Sequence, residues 1–219
     1  MVVAIDGTSG SGKSSTSRGV ATRLGLRFLD TGAMYRAMTW WMLRNDVPVD
    51  DPVAVAARCG EPEIVAGTDP FAPTITVDGA DVAAAIRTPE VTGAVSAVSA
   101  VPEVRARLLV LQRAVIDGAL ENGGIVVEGR DIGSVVAPDA EVKVFLTAEA
   151  AARAARRTAE EGGSDVAATE SSLRARDAID STRAASPLTK AEGAVHVDTT
   201  PYTLEEVVDL IVHMVEDAR

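Results

Sequence analysis

A glycine-rich loop near the start of the chain, "GTSGSGKSS" at residues 7–15, most narrowly limits what this sequence can fold into. It fits the pattern G-x-x-x-x-G-K-[ST], in which small residues let several backbone N–H groups point at one anion. The run "VVAI" before it is typical of a buried parallel strand, and the segment after it predicts a helix that ends near Gly25. Strand, loop and helix in this order predict a phosphate-binding site of the P-loop type.

Two side chains of this loop have predicted tasks of their own. Lys13 is predicted to reach the β- and γ-phosphates of a nucleotide, and the Ser14 hydroxyl is predicted to ligate Mg²⁺. The following helix adds its positive N-terminal end to the same site. A flexible Gly/Ser loop could match the pattern by accident, but the strand before it and the helix after it argue against that.

Composition limits the class of protein further. The chain has 219 residues and is 47% hydrophobic but only 3% aromatic, so we expect one main domain with an insertion and a core of Ala, Val, Leu and Ile. No apolar run reaches membrane-spanning length, and the first strand is predicted to start at Val2 with no signal peptide before it. The single Cys59 cannot form an internal disulfide. We therefore expect a cytoplasmic protein with no membrane partner, and the net charge of −11 argues against a nucleic-acid partner.

Apolar runs and helical segments alternate along most of the chain. Five runs predict core strands: "VVAID", "LRFLD", "GIVVEGRD", "AEVKVFLTA" and "AVHVDTT". Helices are predicted between them, including one over residues 32–45 with Thr31 as its cap. Residues 61–88 instead hold the short strand patterns "EIVAG", "TITVDG" and "ADVAAAIR", with a hairpin signal at "VDGADV". The predicted fold is α/β, with a five-stranded, mostly parallel sheet flanked by helices and a small β-rich insertion.

Charged residues follow several of the predicted strands. Arg36 lies one turn after the second strand, Arg130 and Asp131 follow "GIVVEG", and Arg153 and Arg157 lie in the helix after "VKVFL". Because parallel sheets bind ligands beyond the carboxyl ends of their strands, we expect these residues to meet in one cleft and to bind a second anion. Four of these residues have an ordinary alternative, which is a surface salt bridge for the adjacent pair and a solvated helix face for the last two arginines.

Several longer stretches resemble the bacterial cytidylate kinases, the (d)CMP kinases of the nucleoside monophosphate kinase family. The similar stretches are "IDGTSGSGKSS", "FLDTGAMYR", "IRTPEV" with "VSAVSAVPEVR", "VEGRDIG" and "RDAIDSTRAASPL". They are spread over nearly the whole chain, and the insertion resembles the enlarged CMP-binding domain of this bacterial group. The resemblance implies transfer of the γ-phosphoryl group of ATP, with Mg²⁺, to CMP or dCMP, giving ADP and CDP or dCDP in pyrimidine nucleotide metabolism.

The resemblance also implies a role for each site residue. It assigns ATP binding to Gly7, Thr8, Ser9, Gly10, Ser11, Gly12, Lys13, Ser14 and Ser15. It assigns CMP binding to Thr31, Arg36, Ser96, Arg105, Arg130, Asp131, Arg176, Asp180 and Arg183. Within that set, Ser96, Arg105 and Asp131 read the cytosine, Arg176 and Asp180 hold the ribose, and Arg36, Arg130 and Arg183 grip the phosphate. It assigns catalysis to Lys13, Arg130, Arg153 and Arg157, and metal binding to Ser14. Glu128 departs from the pattern, because the family leads us to expect Asp there.

The same resemblance implies a division of the chain into a core and two mobile parts. The core comprises residues 1–35, 101–148 and 166–219, the CMP-binding domain residues 36–100 with the β-rich insertion at about 61–88, and the lid residues 149–165. We expect a monomer, because one cleft with moving flaps needs free surface.

Three alternatives remain open. The first is a related kinase that acts on UMP, AMP, shikimate or gluconate. The second is a regulatory P-loop switch or motor, which the absence of N-K-x-D and L-S-G-G-Q motifs disfavours. The third is a non-catalytic nucleotide sensor, which the intact Lys13 and Ser14 disfavour.

Overall fold

A computed structural model shows an α/β fold built on a five-stranded sheet, and it describes residues 1–161, 165–182 and 188–219, without the side chains of residues 160, 161, 176 and 180. The strands are β1 (Val2–Gly7), β2 (Arg27–Asp30), β3 (Ile64–Ala66), β4 (Ile75–Val77), β5 (Ala80–Asp81), β6 (Ile125–Gly129), β7 (Val142–Thr147) and β8 (Val195–Asp198). The main sheet has the order β2-β6-β1-β7-β8, and all its neighbouring strands are parallel. The predicted fold class is confirmed.

Helices connect these strands. They are α1 (Lys13–Leu24), α2 (Thr31–Arg44), α3 (Pro52–Arg58), α4 (Pro89–Ala100), α5 (Pro102–Leu120), α6 (Ala150–Glu161), α7 (Val166–Thr182) and α8 (Leu204–Asp217). A short π-helical turn follows β6 at Ile132–Val136. Within the described ranges of the chain, no helix is both long enough and apolar enough to cross a membrane.

The surroundings of the central strand β1 explain why the strands of this sheet are apolar runs in the sequence. It is buried along its whole length, and its side chains alternate between two hydrophobic clusters. Val3 and Ile5 pack with α1 and α8, whereas Val2 and Ala4 join the cluster formed with α2 and α5. Helices cover both faces of the sheet, so neither set of β1 side chains is exposed to water, as is usual for the inner strands of parallel sheets.

The insertion forms a separate antiparallel sheet with the order β3-β4-β5. Asp78 and Gly79 connect β4 to β5 with φ angles of 51° and 79°, the positive values that a two-residue hairpin turn requires, so the hairpin prediction is confirmed. Ile75 and Val77 belong to the same hydrophobic cluster as Met42 of α2. The small sheet therefore shares its core with the main fold and has no separate core of its own among the described residues.

A loop of the insertion also contacts the edge of the main sheet. The backbone N–H of Phe28 in β2 donates to the carbonyl oxygen of Thr68 at 3.0 Å. The Arg18 side chain of α1 donates through Nε to the carbonyl oxygen of Pro70, also at 3.0 Å. Because β2 is an edge strand, the loop covers backbone groups that would otherwise be open to another strand.

Two local predictions are wrong. Thr31 does not cap α2, because Asp30 takes that place and accepts the backbone N–H of Ala33 at 2.9 Å. Thr31 is the first helical residue, and its hydroxyl donates to the carbonyl oxygen of Glu128 at 2.6 Å. The stretch "ADVAAAIR" is a strand only at Ala80–Asp81, since it then turns into a 3₁₀ helix over Ala85–Arg87.

Candidate active site

A cleft opens at the carboxyl ends of β1, β2 and β6, between the glycine-rich loop and the helices α2, α4 and α5. Its lining comes from seven parts of the chain, and most of the lining residues are polar. The lining residues are Ser9, Gly10, Lys13, Ser14, Asp30, Thr31, Gly32, Tyr35, Arg36, Arg87, Val95, Ser96, Ser99, Arg105, Glu128, Gly129, Arg130, Asp131 and Arg157.

Most of the predicted site residues lie in this cleft. Those that line it are Ser9, Gly10, Lys13, Ser14, Thr31, Arg36, Ser96, Arg105, Arg130, Asp131 and Arg157. Those that do not line it are Gly7, Thr8, Ser11, Gly12, Ser15 and Arg153. Arg183 and the side chains of Arg176 and Asp180 lie outside the described residues, so their roles stay predictions.

The loop is shaped by close contact with the end of β7. Gly7 has a φ of 153°, and a Cβ there would lie 2.0 Å from the carbonyl oxygen of Leu146, so only glycine fits. Gly12 caps α1, and no side chain of the described chain caps this helix end. The first N–H groups of α1 are therefore directed at the loop, which is the arrangement that binds phosphate.

The Lys13 amine lies inside the loop and donates to the carbonyl oxygen of Thr8 at 2.7 Å. Burial, and then the charge of nearby Arg130, lower the pKa of Lys13 to about 7. Arg130 itself donates through Nη1 to the carbonyl oxygen of Gly7 at 2.6 Å. The two cations repel each other, and a phosphate chain bound between them would raise the pKa of Lys13 again.

Three oxygen-bearing side chains lie where the loop meets β2 and β6. The Ser14 hydroxyl donates to Glu128 Oε1 at 2.7 Å, and the buried Glu128 Oε2 has no hydrogen-bond partner within the described chain. Burial, followed by the charge of Asp30, raises the pKa of Glu128 to about 8. A cation beside these carboxylates would offset their repulsion, and hard oxygen donors suit Mg²⁺.

These residues fit Mg²⁺ only together with oxygen atoms of a substrate. No group of three or more His, Cys, Asp or Glu residues in the described ranges could hold a metal ion alone. Mg²⁺ commonly takes one or two carboxylates and completes its shell with water and phosphate. The donor set of Ser14, Asp30 and Glu128 therefore matches a metal ion that arrives with a nucleotide.

The same cleft is also lined by a buried ion pair between Arg105 and Asp131, with side chains that are 10% and 8% exposed. Arg105 also donates through Nη1 to the carbonyl oxygen of Ser99 at 3.3 Å. Its guanidinium carbon lies 5.5 Å from the centroid of the Tyr35 ring. Asp131 is thus not part of a surface salt bridge, and the pair presents donors and acceptors at fixed positions in a site with little water.

Asp6, at the end of β1, fixes the turn that follows Arg130 and Asp131. Its carboxylate accepts the backbone N–H groups of Ile132 and Gly133, both at 2.8 Å. Its side chain is buried, and burial is the main reason that its pKa rises from 3.8 to about 6. Asp6 therefore orients the two charged residues that precede the turn without lining the cleft itself.

We expect the stabilising effect of Asp6, relative to the variant Asp6→Asn, to shrink as the pH rises. The folded protein holds the Asp6 proton up to about pH 6, whereas the unfolded chain loses it near the ordinary pKa of 3.8. The unfolding free energy of wild type minus that of the variant is therefore largest below pH 4 and falls by about 2 kcal/mol between pH 4 and pH 7. Urea unfolding across this range measures it, and a difference that grows with pH contradicts the assignment.

The arginines of α6 have different surroundings. Arg157 lines the cleft, whereas Arg153 is 7% exposed and donates through Nη1 to the carbonyl oxygen of Ser9 at 2.8 Å. Arg156 donates to the Thr199 hydroxyl at 3.0 Å and to the Thr199 carbonyl oxygen at 2.8 Å. The alternative of a solvated helix face is therefore wrong for Arg153.

The sequence interpretation missed several residues of the site. They are Asp6, Asp30, Tyr35, Arg87 and Ser99. Asp30 and Arg87 occur in the quoted stretches "FLDTGAMYR" and "IRTPEV". Their presence in stretches that resemble the family could therefore have identified them as site residues. A single carboxylate ending an otherwise apolar strand was the corresponding signal for Asp6.

The parallel sheet, the phosphate-binding loop and the arginine-lined cleft define a P-loop kinase. The profile of one family, Cytidylate kinase, matches residues 3–217, and the chain belongs to the cytidylate kinase family. The cytidylate kinase of Streptomyces avermitilis is 61% identical over 219 residues, which cover 100% of this chain and 94% of that protein. The cytidylate kinase of Streptomyces coelicolor is 62% identical with the same coverage.

One solved structure with the same fold is that of an uncharacterized protein from Eubacterium ventriosum. It has a TM-score of 0.55 and 12% sequence identity, and the match covers 99% of this chain and 98% of that chain. At this identity the likeness supports the fold alone.

Proposed function

We propose that this protein transfers the γ-phosphoryl group of ATP to CMP or dCMP, giving ADP and CDP or dCDP. The observation that carries the proposal is the cleft itself, which is lined both by the Lys13 loop and by the buried Arg105–Asp131 pair. A kinase needs both parts, one for the donor phosphates and one for the acceptor. Relatives that match the whole chain are named cytidylate kinase, which supports the choice of acceptor.

The transfer joins two anions, so neutralising their charge is the main task of the protein. An oxygen of the CMP phosphate attacks the γ-phosphorus while the bond to the β,γ-bridging oxygen breaks, and ADP leaves with that oxygen. The transition state is loose, and positioning and electrostatics dominate over acid–base chemistry. Lys13 binds the β- and γ-phosphates, and Arg36, Arg130 and Arg157 surround the place where the two substrates meet.

Ser14, Asp30 and Glu128 would hold Mg²⁺ together with the ATP phosphates, and the ion would supply further positive charge to the phosphate oxygens. The Ser14 hydroxyl and Glu128 already contact each other, so little rearrangement is needed to direct both at a cation. A longer Glu128 in place of the expected Asp reaches Ser14 directly from the end of β6.

The Arg105–Asp131 pair explains a preference for cytosine. The exocyclic amino group of cytosine is a donor and suits the Asp131 carboxylate, whereas uracil presents a carbonyl oxygen at that position. Arg105 offers donors for the ring nitrogen and carbonyl oxygen, and Ser96 lies on the same wall of the cleft. With UMP, a uracil carbonyl oxygen would face the Asp131 carboxylate, acceptor against acceptor, which disfavours UMP.

The remaining assignments concern parts that move or that lie outside the described residues. We propose residues 36–100 as the CMP-binding part and residues 149–165 as the lid, whose closure excludes water from the transfer. Arg176 and Asp180 are assigned to the ribose, and Arg183 to the phosphate, by their match to the family pattern. The cytoplasmic location and the monomeric state expected from the sequence stay predictions.

The test is ADP formation from Mg²⁺-ATP with CMP, dCMP, UMP, AMP, GMP or shikimate supplied separately. We expect a strong signal with CMP or dCMP, a weak one with the other acceptors, and almost none without acceptor. Equal ADP formation in every mixture, including the one without acceptor, would mean an ATPase. A strong signal with only UMP, AMP or shikimate would instead support one of the related kinases and overturn the cytosine assignment.

A further inference from the structure

The backbone of Ser9 is held on both sides by charged side chains of the two helices after β7. Its N–H donates to Oδ1 of Asp177 on α7 at 3.0 Å. Its carbonyl oxygen accepts from Nη1 of Arg153 on α6 at 2.8 Å. Asp177 and Arg153 also form an ion pair with each other, and their side chains are only 15% and 8% exposed. Three separate parts of the chain therefore meet at one residue of the phosphate-binding loop.

The packing around this junction is close. A Cβ at Gly10 would lie 3.3 Å from Arg153 Cβ and 3.4 Å from Leu173 Cδ1, so the loop lies directly against both helices. Arg153 is further fixed by Nε, which donates to the carbonyl oxygen of Ala148 at 3.0 Å. The junction thus connects the loop to the start of α6 as well as to α7.

The position of Asp177 is unusual for a carboxylate. It lies close enough to Lys13 to raise the pKa of that amine, yet the loop exists to hold anions. An unpaired carboxylate here would repel a triphosphate, so a carboxylate without a structural role at this position would only weaken nucleotide binding. The Arg153 ion pair neutralises it, and the bond to the Ser9 N–H uses it to fix the curvature of the loop.

We propose that Asp177 is a positioning residue for ATP, which acts through Ser9 and Arg153 and does not itself touch the nucleotide. Arg153 then belongs to the same device and holds the loop, whereas Arg157 remains the arginine of α6 that faces the transferring group. The proposal rests on the proposed role of the loop as the ATP site. It means that the positions of α6 and α7 determine how well the loop is shaped to bind phosphate.

The test compares Asp177→Ala with Glu170→Gln. The control removes the Glu170–Arg174 ion pair on the same helix, which makes no hydrogen bond to the loop within the described part of the chain. Calorimetric titration with Mg²⁺-ADP should show affinity weakened about 10-fold in Asp177→Ala and unchanged in the control. In steady-state kinetics, KM for ATP should rise by a similar factor while KM for CMP changes less than twofold.

Two further measurements separate positioning from general damage. Asp177→Asn retains an acceptor for the Ser9 N–H and should recover part of the lost ADP affinity. Arg153→Met and Asp177→Ala should have strongly non-additive effects on that affinity, because both act through Ser9.

Each contrary result has a distinct meaning. ADP affinity within twofold of wild type in Asp177→Ala would overturn the inference, as would equal increases in KM for ATP and CMP or additive effects in the double variant. Failure of the wild-type protein to bind Mg²⁺-ADP would instead overturn the proposed function.

Discussion

Replacing Arg130 with Ala is expected to lower kcat by about 1,000-fold, which is the scale seen when a phosphoryl-transfer enzyme loses an arginine at the transferring group. The guanidinium lines the same cleft as Lys13 and Asp131, and it donates through Nη1 to the carbonyl oxygen of Gly7. The substitution removes positive charge where two anions must approach. Rates of CMP-dependent ADP formation at saturating substrates measure the effect, and thermal unfolding shows whether the fold persists.

Arg113→Ala is a matched control for this experiment. Arg113 also donates to backbone carbonyl oxygens, those of Val135 and Val136 at the end of the turn after β6, but it does not line the cleft. Its loss should cost about 1 kcal/mol of stability and leave kcat nearly unchanged. Near-normal turnover in Arg130→Ala, or an equal loss in Arg113→Ala, would contradict the assignment of Arg130 to the reacting phosphates.

Replacing Arg105 with Met is expected to lower the free energy of unfolding by about 3–5 kcal/mol, because it leaves the buried carboxylate of Asp131 without its partner. The same change should weaken CMP binding about 100-fold. Urea unfolding measures the first effect and calorimetric titration with CMP the second, while Mg²⁺-ADP binding should change little.

The double variant Arg105→Met with Asp131→Leu separates these two effects. Removing both charges should restore most of the stability, since a buried ion pair can often be replaced by apolar side chains of similar size. It should not restore CMP binding, because the donors and acceptors for cytosine are then missing. Recovery of CMP affinity in the double variant would show that the pair supports the fold and does not read the base.

The parts of this protein that depend on local patterns could be predicted from the sequence. The glycine loop, the apolar runs of the parallel strands and the Asp78–Gly79 turn each depend on neighbouring residues, and the structure confirms all three. The small sheet was also predicted, although the end of its last strand was not, since a 3₁₀ helix replaces it.

The parts that could not be predicted depend on contacts between distant residues. Asp6 binds the backbone of residues 132–133, and Asp177 binds the backbone of Ser9. No spacing or period in the chain relates such pairs, because parallel strands bring distant segments together through long crossovers. For Asp6, whose carboxylate binds backbone N–H groups, there is also no complementary side chain to find in the sequence.

The strand order has a consequence for how the protein is made. The strand β1, which leads into the phosphate-binding loop, pairs with β6 and β7, and these begin only at Ile125 and Val142. At ordinary synthesis rates a ribosome needs roughly 5–30 s to produce the chain between them. During that time the segment "VVAI" has neither neighbour, so the nascent chain exposes this apolar strand until β6 and β7 have been made. We expect newly made protein to depend on chaperones more than its small size suggests.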